Sequence, residues 1–137
     1  MILRIDHIGL ATATPAELAP FLGALGLSQG DTGVAPEYRV ACEFWDRADS
    51  GPAIELISPS GEGSTLDGRL SRTGPGLHHI AFEVDEIEPE LERLRTAGFI
   101  PVDPEPRIGA REGMTVAFTY LRAAGLLVEL VHYCRTN

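Results

Sequence analysis

The sequence predicts an α+β fold in which two tandem βαβββ modules form an incomplete eight-stranded mixed barrel. The first observation is an internal repeat: Ile5–Leu10 matches Leu77–Phe82, and Ala53–Ile57 matches Leu127–Val131. The second is a constant spacing, since the two anchors are separated by 48 residues from His7 to Glu55 and by 50 from His79 to Glu129. A repeat that occupies half of the 137 residues indicates a duplication rather than a solenoid.

The first module, residues 1–58, shows the pattern strand, helix and three strands. Thr14, Pro15 and Glu17 are typical of a helix start, because they supply a capping hydroxyl, a first-turn proline and an acidic third position. This helix is expected to end near Leu25. The predicted strands run over Leu3–Leu10, onward from Leu27, over Tyr38–Trp45 and over Pro52–Ile57.

The second module, residues 76–137, repeats this order more clearly. Asp85 is predicted to cap a helix that continues to Ala97, with apolar residues at helical spacing on one face. A linker over residues 59–75 is expected to pack against the modules within a single domain, and the segment from Arg107 to Gly113 is expected to be a mobile loop. The predicted strands are Leu77–Val84, Phe99–Val102, Met114–Tyr120 and Leu126–Tyr133.

The composition excludes some classes of protein. The net charge is −9, which argues against nucleic acid, because binding to phosphates requires Lys and Arg. No apolar run approaches the roughly 20 residues that span a membrane, and the N-terminus is typical of a strand rather than a signal peptide. We therefore expect a cytoplasmic protein with no membrane partner and, in Cys42 and Cys134, two free thiols.

Four residues at equivalent places of the two repeats are candidates for metal binding: His7, Glu55, His79 and Glu129. Glu129 has four apolar neighbours in its strand, and a buried carboxylate without a partner is costly. Two imidazoles and two carboxylates suit one divalent transition ion such as Co, Ni, Zn, Mn or Fe(II). Four protein ligands leave positions open for substrate, which is typical of a catalytic site.

The duplicated module with these residues resembles the vicinal oxygen chelate superfamily, which includes glyoxalases, bleomycin resistance proteins and extradiol dioxygenases. The double histidine in Gly76–Val84 is most similar to the methylmalonyl-CoA epimerases of that superfamily, as are Glu55–Pro59, Arg107–Ala110 and Gly125–Leu130. The resemblance implies a homodimer that acts on a 2-methylmalonyl-CoA-type thioester through an enolate stabilised by the divalent ion. It also implies that Glu129 acts as an acid or base.

Epimerisation needs proton transfer on both faces of a planar enolate, so a second group is required. The place at which some epimerases carry a second carboxylate falls on Cys42, with Glu43 beside it. We predict Glu43 as the second catalytic residue, provided that a bulge turns it inward. Glu37, a water molecule and Cys42 remain alternatives, and Cys42 requires a pKa well below the roughly 8.5 of a free thiol.

Other functions remain open at this stage. A glyoxalase I-like lyase or isomerase and another secondary-metabolism enzyme of the same superfamily are both compatible with these residues. A non-catalytic drug-binding resistance protein would suit the negative charge, although such binders usually lack the four metal ligands.

Overall fold

A computed structural model of the chain describes residues 1–47 and 51–135. The first half contains β1 (Ile2–Ala11), α1 (Pro15–Ala24), β2 (Ser28–Ala35), β3 (Val40–Asp46) and β4 (Ala53–Pro59). Helix α2 (Asp67–Thr73) lies between the halves. The second half contains β5 (Gly76–Val84), α3 (Ile87–Thr96), β6 (Ile100–Pro101), β7 (Arg107–Ile108), β8 (Met114–Leu121), a 3-10 turn (Arg122–Ala124) and β9 (Leu126–Tyr133).

The strands form a single mixed sheet in the order β2-β3-β4-β1-β5-β9-β8-β6, and β7 also pairs with β8. Strands β1 and β5 run antiparallel at its centre. On either side of them, β4 pairs parallel with β1 and β9 pairs parallel with β5. The predicted mixed α+β architecture is confirmed, and it places one copy of the repeat on each side of the central pair.

The sheet curls so that the second half reaches the edge strand β2. A Cβ placed on Gly33 in β2 would collide with the backbone oxygen of Ala110, which precedes β8. Glycine is therefore needed where these two segments meet, since a side chain would force them apart. One apolar cluster fills the inside of the curl, and two others lie under α1 and α3.

The structure corrects three details of the prediction. The predicted strand Phe99–Val102 is shortened to β6, and β7 is an additional strand, which gives nine strands in the described residues. The prolines between β6 and β7 cannot donate ladder hydrogen bonds. The segment from Arg107, expected to be a mobile loop, begins with β7. In addition, α3 begins at Ile87 with Glu86 as its cap residue, while Asp85 pairs with the amino group of Met1.

Within the described residues, no helix combines the length and the apolar character that a membrane crossing requires.

Burial of the strand side chains determines which substitutions destabilise the fold. Leu130 is 0% exposed in the cluster beneath α3. Leu130→Ala should lower the free energy of unfolding by about 2–5 kcal/mol, because it removes buried methyl groups and leaves a cavity. The matched control is Leu77→Ala, whose side chain is 69% exposed and whose loss should cost less than about 0.5 kcal/mol. Equal destabilisation of the two variants in urea titrations would contradict this packing.

Candidate metal centre

The four predicted ligands come together at the centre of the sheet. Register explains why: His7 pairs with Ala81 and His79 pairs with Gly9 across the antiparallel β1–β5 ladder. Glu55 of β4 also lies beside Gly9, and Glu129 of β9 lies beside Ala81. Each half thus contributes one histidine and one glutamate, and all four are buried.

The distances between these groups are short. The Nε2 atoms of His7 and His79 are 3.2 Å apart. Glu55 Oε1 lies 3.5 Å from His7 Nε2 and 3.3 Å from His79 Nε2. Glu129 Oε1 lies 2.9 Å from His7 Nε2 and 3.7 Å from His79 Nε2. Both carboxylates therefore approach the same pair of imidazole nitrogens.

The electrostatics of this cluster favour a bound cation. Burial lowers the pKa of His7, but the negative charges of Glu55 and Glu129 and the contact with Asp6 outweigh it and raise that pKa to about 10. Burial raises the pKa of Glu55, yet His7 and His79 lower it overall. Without a metal ion, a proton on His7 partly offsets the two carboxylates.

Within this cluster, one carboxylate oxygen is left without a hydrogen-bond partner. Among the described residues, Glu129 Oε1 is buried and makes no hydrogen bond, since its short contact with His7 Nε2 lacks hydrogen-bond geometry. Ligand atoms of His7, His79 and Glu129 lie within 4.8 Å of one another, and the Glu55 oxygen adjoins both histidines. A divalent ion fits this set of two nitrogen and two oxygen donors, and it would satisfy the unpaired oxygen.

The cluster opens into a largely apolar cavity between the two halves. Glu55, His79 and Glu129 form part of its wall. Most of its other lining residues lie on or just before β3, β4 and β8, among them Tyr38, Val40, Cys42, Ile57, Met114, Val116 and Phe118. Most of these residues belong to no sequence motif, although the alternation along each strand indicates its inner face.

The other candidate acid–base residues lie elsewhere. Glu43 is on the opposite face of β3, where its Oε1 accepts a hydrogen bond from Gln29, and no bulge interrupts the β3–β4 pairing there. Its position gives no support to the predicted proton transfer. Glu37 is exposed and does not line the cavity.

Cys42 faces the cavity but is not a suitable base. Burial, together with the negative charges of Glu55 and Glu129, raises the pKa of its thiol, which donates a hydrogen bond to Glu55. The condition for Cys42 as a base, a lowered pKa, is therefore not met.

The two remaining histidines have separate partners. His78 Nδ1 lies 2.8 Å from His79 Nδ1, on the side of that ring away from the cluster. His132 Nδ1 lies 3.2 Å from the backbone oxygen of Val84. Their Nδ1 contacts are to His79 and to the backbone, and their exclusion from the ligand set stays a prediction.

Comparison with known proteins identifies the class. Residues 6–118 match the model of the glyoxalase/bleomycin resistance protein/dioxygenase superfamily, and the chain belongs to that superfamily. Its relatives include the ethylmalonyl-CoA/methylmalonyl-CoA epimerase of Cereibacter sphaeroides, which is 35% identical over 95% of this chain and 98% of the relative. The mitochondrial methylmalonyl-CoA epimerase of Homo sapiens is 30% identical over 93% of this chain and 72% of the relative.

Solved structures lead to the same group. A variant of Streptomyces coelicolor methylmalonyl-CoA epimerase in complex with 2-nitronate-propionyl-CoA has a TM-score of 0.84 at 29% identity, covering 98% of this chain and 100% of the other. A methylmalonyl-CoA epimerase in complex with methylmalonyl-CoA and NH4+ gives the same score and identity, with coverage of 98% and 96%. The predicted superfamily and the predicted epimerase class of enzyme are confirmed.

The raised pKa and the burial of Cys42 predict that its thiol resists alkylation. At pH 8, iodoacetamide should modify the exposed Cys134 in the folded protein, while Cys42, 4% exposed, reacts only after unfolding. Mass spectrometry of tryptic peptides after timed labelling measures both sites in one sample. Equal labelling rates for the two thiols in folded protein would show that Cys42 is accessible and ionised.

Proposed function

We propose that this protein is a metal-dependent epimerase of a 2-methylmalonyl-CoA-type acyl thioester. The observation that carries the proposal is the buried cluster of two histidines and two glutamates in the wall of an apolar cavity. The activities of the relatives support the reaction, and the solved complexes of similar structure contain acyl-CoA compounds.

We propose His7, Glu55, His79 and Glu129 as the residues that hold one divalent transition ion. When bound there, the ion would supply positive charge that stabilises the negative oxygen of an enolate. Mostly apolar side chains surround the cavity. They exclude water, which strengthens electrostatic interactions inside it. The apolar side chains also suit the short branched acyl group of the substrate.

Glu129 is our candidate for one proton transfer. Its Oε1 is buried without a hydrogen bond, and its side chain lines the cavity in which the thioester would bind. With one oxygen of this carboxylate holding the ion, the other can take the proton next to the thioester carbonyl and return it.

For the opposite face of the enolate we propose Glu55 in place of Glu43. Among the described residues that line the cavity, Glu55 and Glu129 are the two carboxylates. They come from equivalent strands of the two halves, on either side of the central β1–β5 pair. This placement presents one carboxylate from each half, as transfer on two faces requires.

Removal of single ligands tests the metal site. We expect wild-type protein to bind about one Zn²⁺, Co²⁺ or Ni²⁺ per chain. Alanine at His7, Glu55, His79 or Glu129 should weaken binding by more than about 100-fold, which exceeds the usual effect of an outer partner. His132→Ala is the control histidine, because its Nδ1 contacts the Val84 backbone. Calorimetry that finds His132→Ala as defective as His79→Ala would contradict the ligand set.

Exchange of the α-proton in deuterated water tests the reaction. Each epimer of methylmalonyl-CoA and ethylmalonyl-CoA should incorporate deuterium with metal-loaded protein, while the glutathione–methylglyoxal adduct should not be converted. Glu129→Gln and Glu55→Gln keep a carbonyl oxygen for the ion. In metal-loaded protein, each should abolish exchange from a different epimer, because an amide accepts no proton at neutral pH. Mass spectrometry measures the label.

The control for this experiment is Glu43→Gln. Because Glu43 lies on the outer face of β3, both epimers should exchange at the parent rate in this variant. Loss of exchange from one epimer in Glu43→Gln, with both retained in Glu55→Gln, would restore Glu43 as the second base. Conversion of the glutathione adduct alone would replace the proposed function by a glyoxalase activity.

The expected homodimer remains a prediction, and light scattering on purified protein checks it.

A further inference from the structure

The residue before each metal-binding histidine contacts the far nitrogen of that histidine. Asp6 Oδ2 lies 2.7 Å from His7 Nδ1, and His78 Nδ1 lies 2.8 Å from His79 Nδ1. Asp6 and His78 occupy equivalent positions in the two repeats. The same arrangement thus occurs twice, with a carboxylate in one half and an imidazole in the other.

Regular strands would not allow this contact, because neighbouring side chains point to opposite faces. The β1–β5 ladder is irregular at both places. Its register passes from Ile5↔Phe82 to His7↔Ala81, and Asp6 is the extra residue. It also passes from Gly9↔His79 to Leu10↔Leu77, and here His78 is the extra residue. A bulge of this kind reorients a side chain, and each of these two bulges adjoins a candidate ligand.

We propose that Asp6 and His78 are a matched pair of positioning residues, each of which holds the Nδ1–H of the following histidine so that Nε2 is presented to the ion. This inference rests on the metal site of the proposed function. A neutral imidazole carries its proton on one nitrogen, so a ring that binds metal through Nε2 donates from Nδ1. The two Nε2 atoms face each other across 3.2 Å, and the two Nδ1 atoms face Asp6 and His78.

The hydrogen bond that Asp6 accepts from His7 differs in strength from the one that His78 accepts from His79. The Asp6 side chain is fully buried and also receives hydrogen bonds from Tyr133 at 2.9 Å and Arg4 at 3.0 Å. These contacts fix the carboxylate, and a hydrogen bond to an ionised acceptor is stronger than a neutral one. His78 offers a neutral nitrogen, and its ring packs edge-on against Phe118. His7 is therefore the more strongly polarised ligand, and the loss of Asp6 should weaken metal binding more than the loss of His78.

The contact between His78 and His79 also fixes the tautomer of His78. Because its Nδ1 accepts the proton of His79, the proton of His78 resides on Nε2. His78 forms part of the cavity wall, so it contributes a hydrogen-bond donor to a surface that is otherwise mostly apolar.

Zn²⁺-loaded protein labelled with ¹⁵N on its histidines tests the proposal without reference to epimerase activity. NMR correlation of ring nitrogens with their protons should show protonated Nδ1 signals, protected from exchange, for His7 and His79. Asp6→Ala should remove the protection of the His7 signal and leave that of His79. His78→Ala should do the reverse. Zn²⁺ affinity should fall by about 10–100-fold in each variant, with the larger loss in Asp6→Ala.

Conservative variants separate positioning from folding. Asp6→Asn and His78→Asn retain an acceptor oxygen, so both should restore the protected Nδ1 signal of the adjacent histidine, although Asp6→Asn binds Zn²⁺ less tightly than wild type. His132→Ala should change neither signal. The proposal is overturned if protection at His7 and His79 survives both alanine variants, or if each alanine variant removes both signals and asparagine restores neither. Normal Zn²⁺ binding and NMR signals in a protein without epimerase activity would instead reject the proposed reaction and leave this inference standing.

Discussion

The pairing of β1 with β5 is the constraint on which the whole site depends. This antiparallel ladder joins the two halves of the duplicated fold and brings His7 and His79 together. Gly9 has to be a glycine here, because a Cβ at that position would collide with the ring of His79. The parallel neighbours β4 and β9 then deliver Glu55 and Glu129 beside Gly9 and Ala81. The cluster of two histidines and two glutamates is thus a consequence of strand register.

That register also buries two carboxylates in the interior, where their negative charge has to be compensated. Two glutamates lie buried against two imidazoles, and uncompensated charge in such a place is costly. Glu55, Asp6 and Glu129 raise the pKa of His7 to about 10, so in the metal-free chain a proton on His7 supplies part of the compensation. A divalent ion held there would compensate both carboxylates at once in place of that proton, so its binding would be coupled to stability. The buried negative charge that is costly in the empty cluster would favour a cation as its occupant.

The sequence predicted the architecture and the four-residue cluster because both follow from the repeat. Equivalent positions in a duplication meet at a pseudo-twofold axis, so His7 implied His79, and Glu55 implied Glu129. Local irregularities were not predictable in this way. Strict alternation along a strand would put Asp6 on the face away from His7, whereas a bulge turns its carboxylate towards the imidazole. The reverse holds at Glu43, whose inward placement required a bulge in β3: the β3–β4 pairing is regular there, and the side chain stays on the outer face. Bulges depend on the partner strand, and single-strand patterns do not reveal them.

Anomalous diffraction from crystals of the protein grown with Co²⁺ or Zn²⁺ tests the central claim most directly. We predict one strong peak per chain at the metal absorption edge, about 2.0–2.2 Å from Nε2 of His7, Nε2 of His79 and a carboxylate oxygen of each of Glu55 and Glu129. The account would be contradicted by a metal peak within bonding distance of His78, His132 or the thiol of Cys42. It would also be contradicted if the cluster showed no peak at saturating metal.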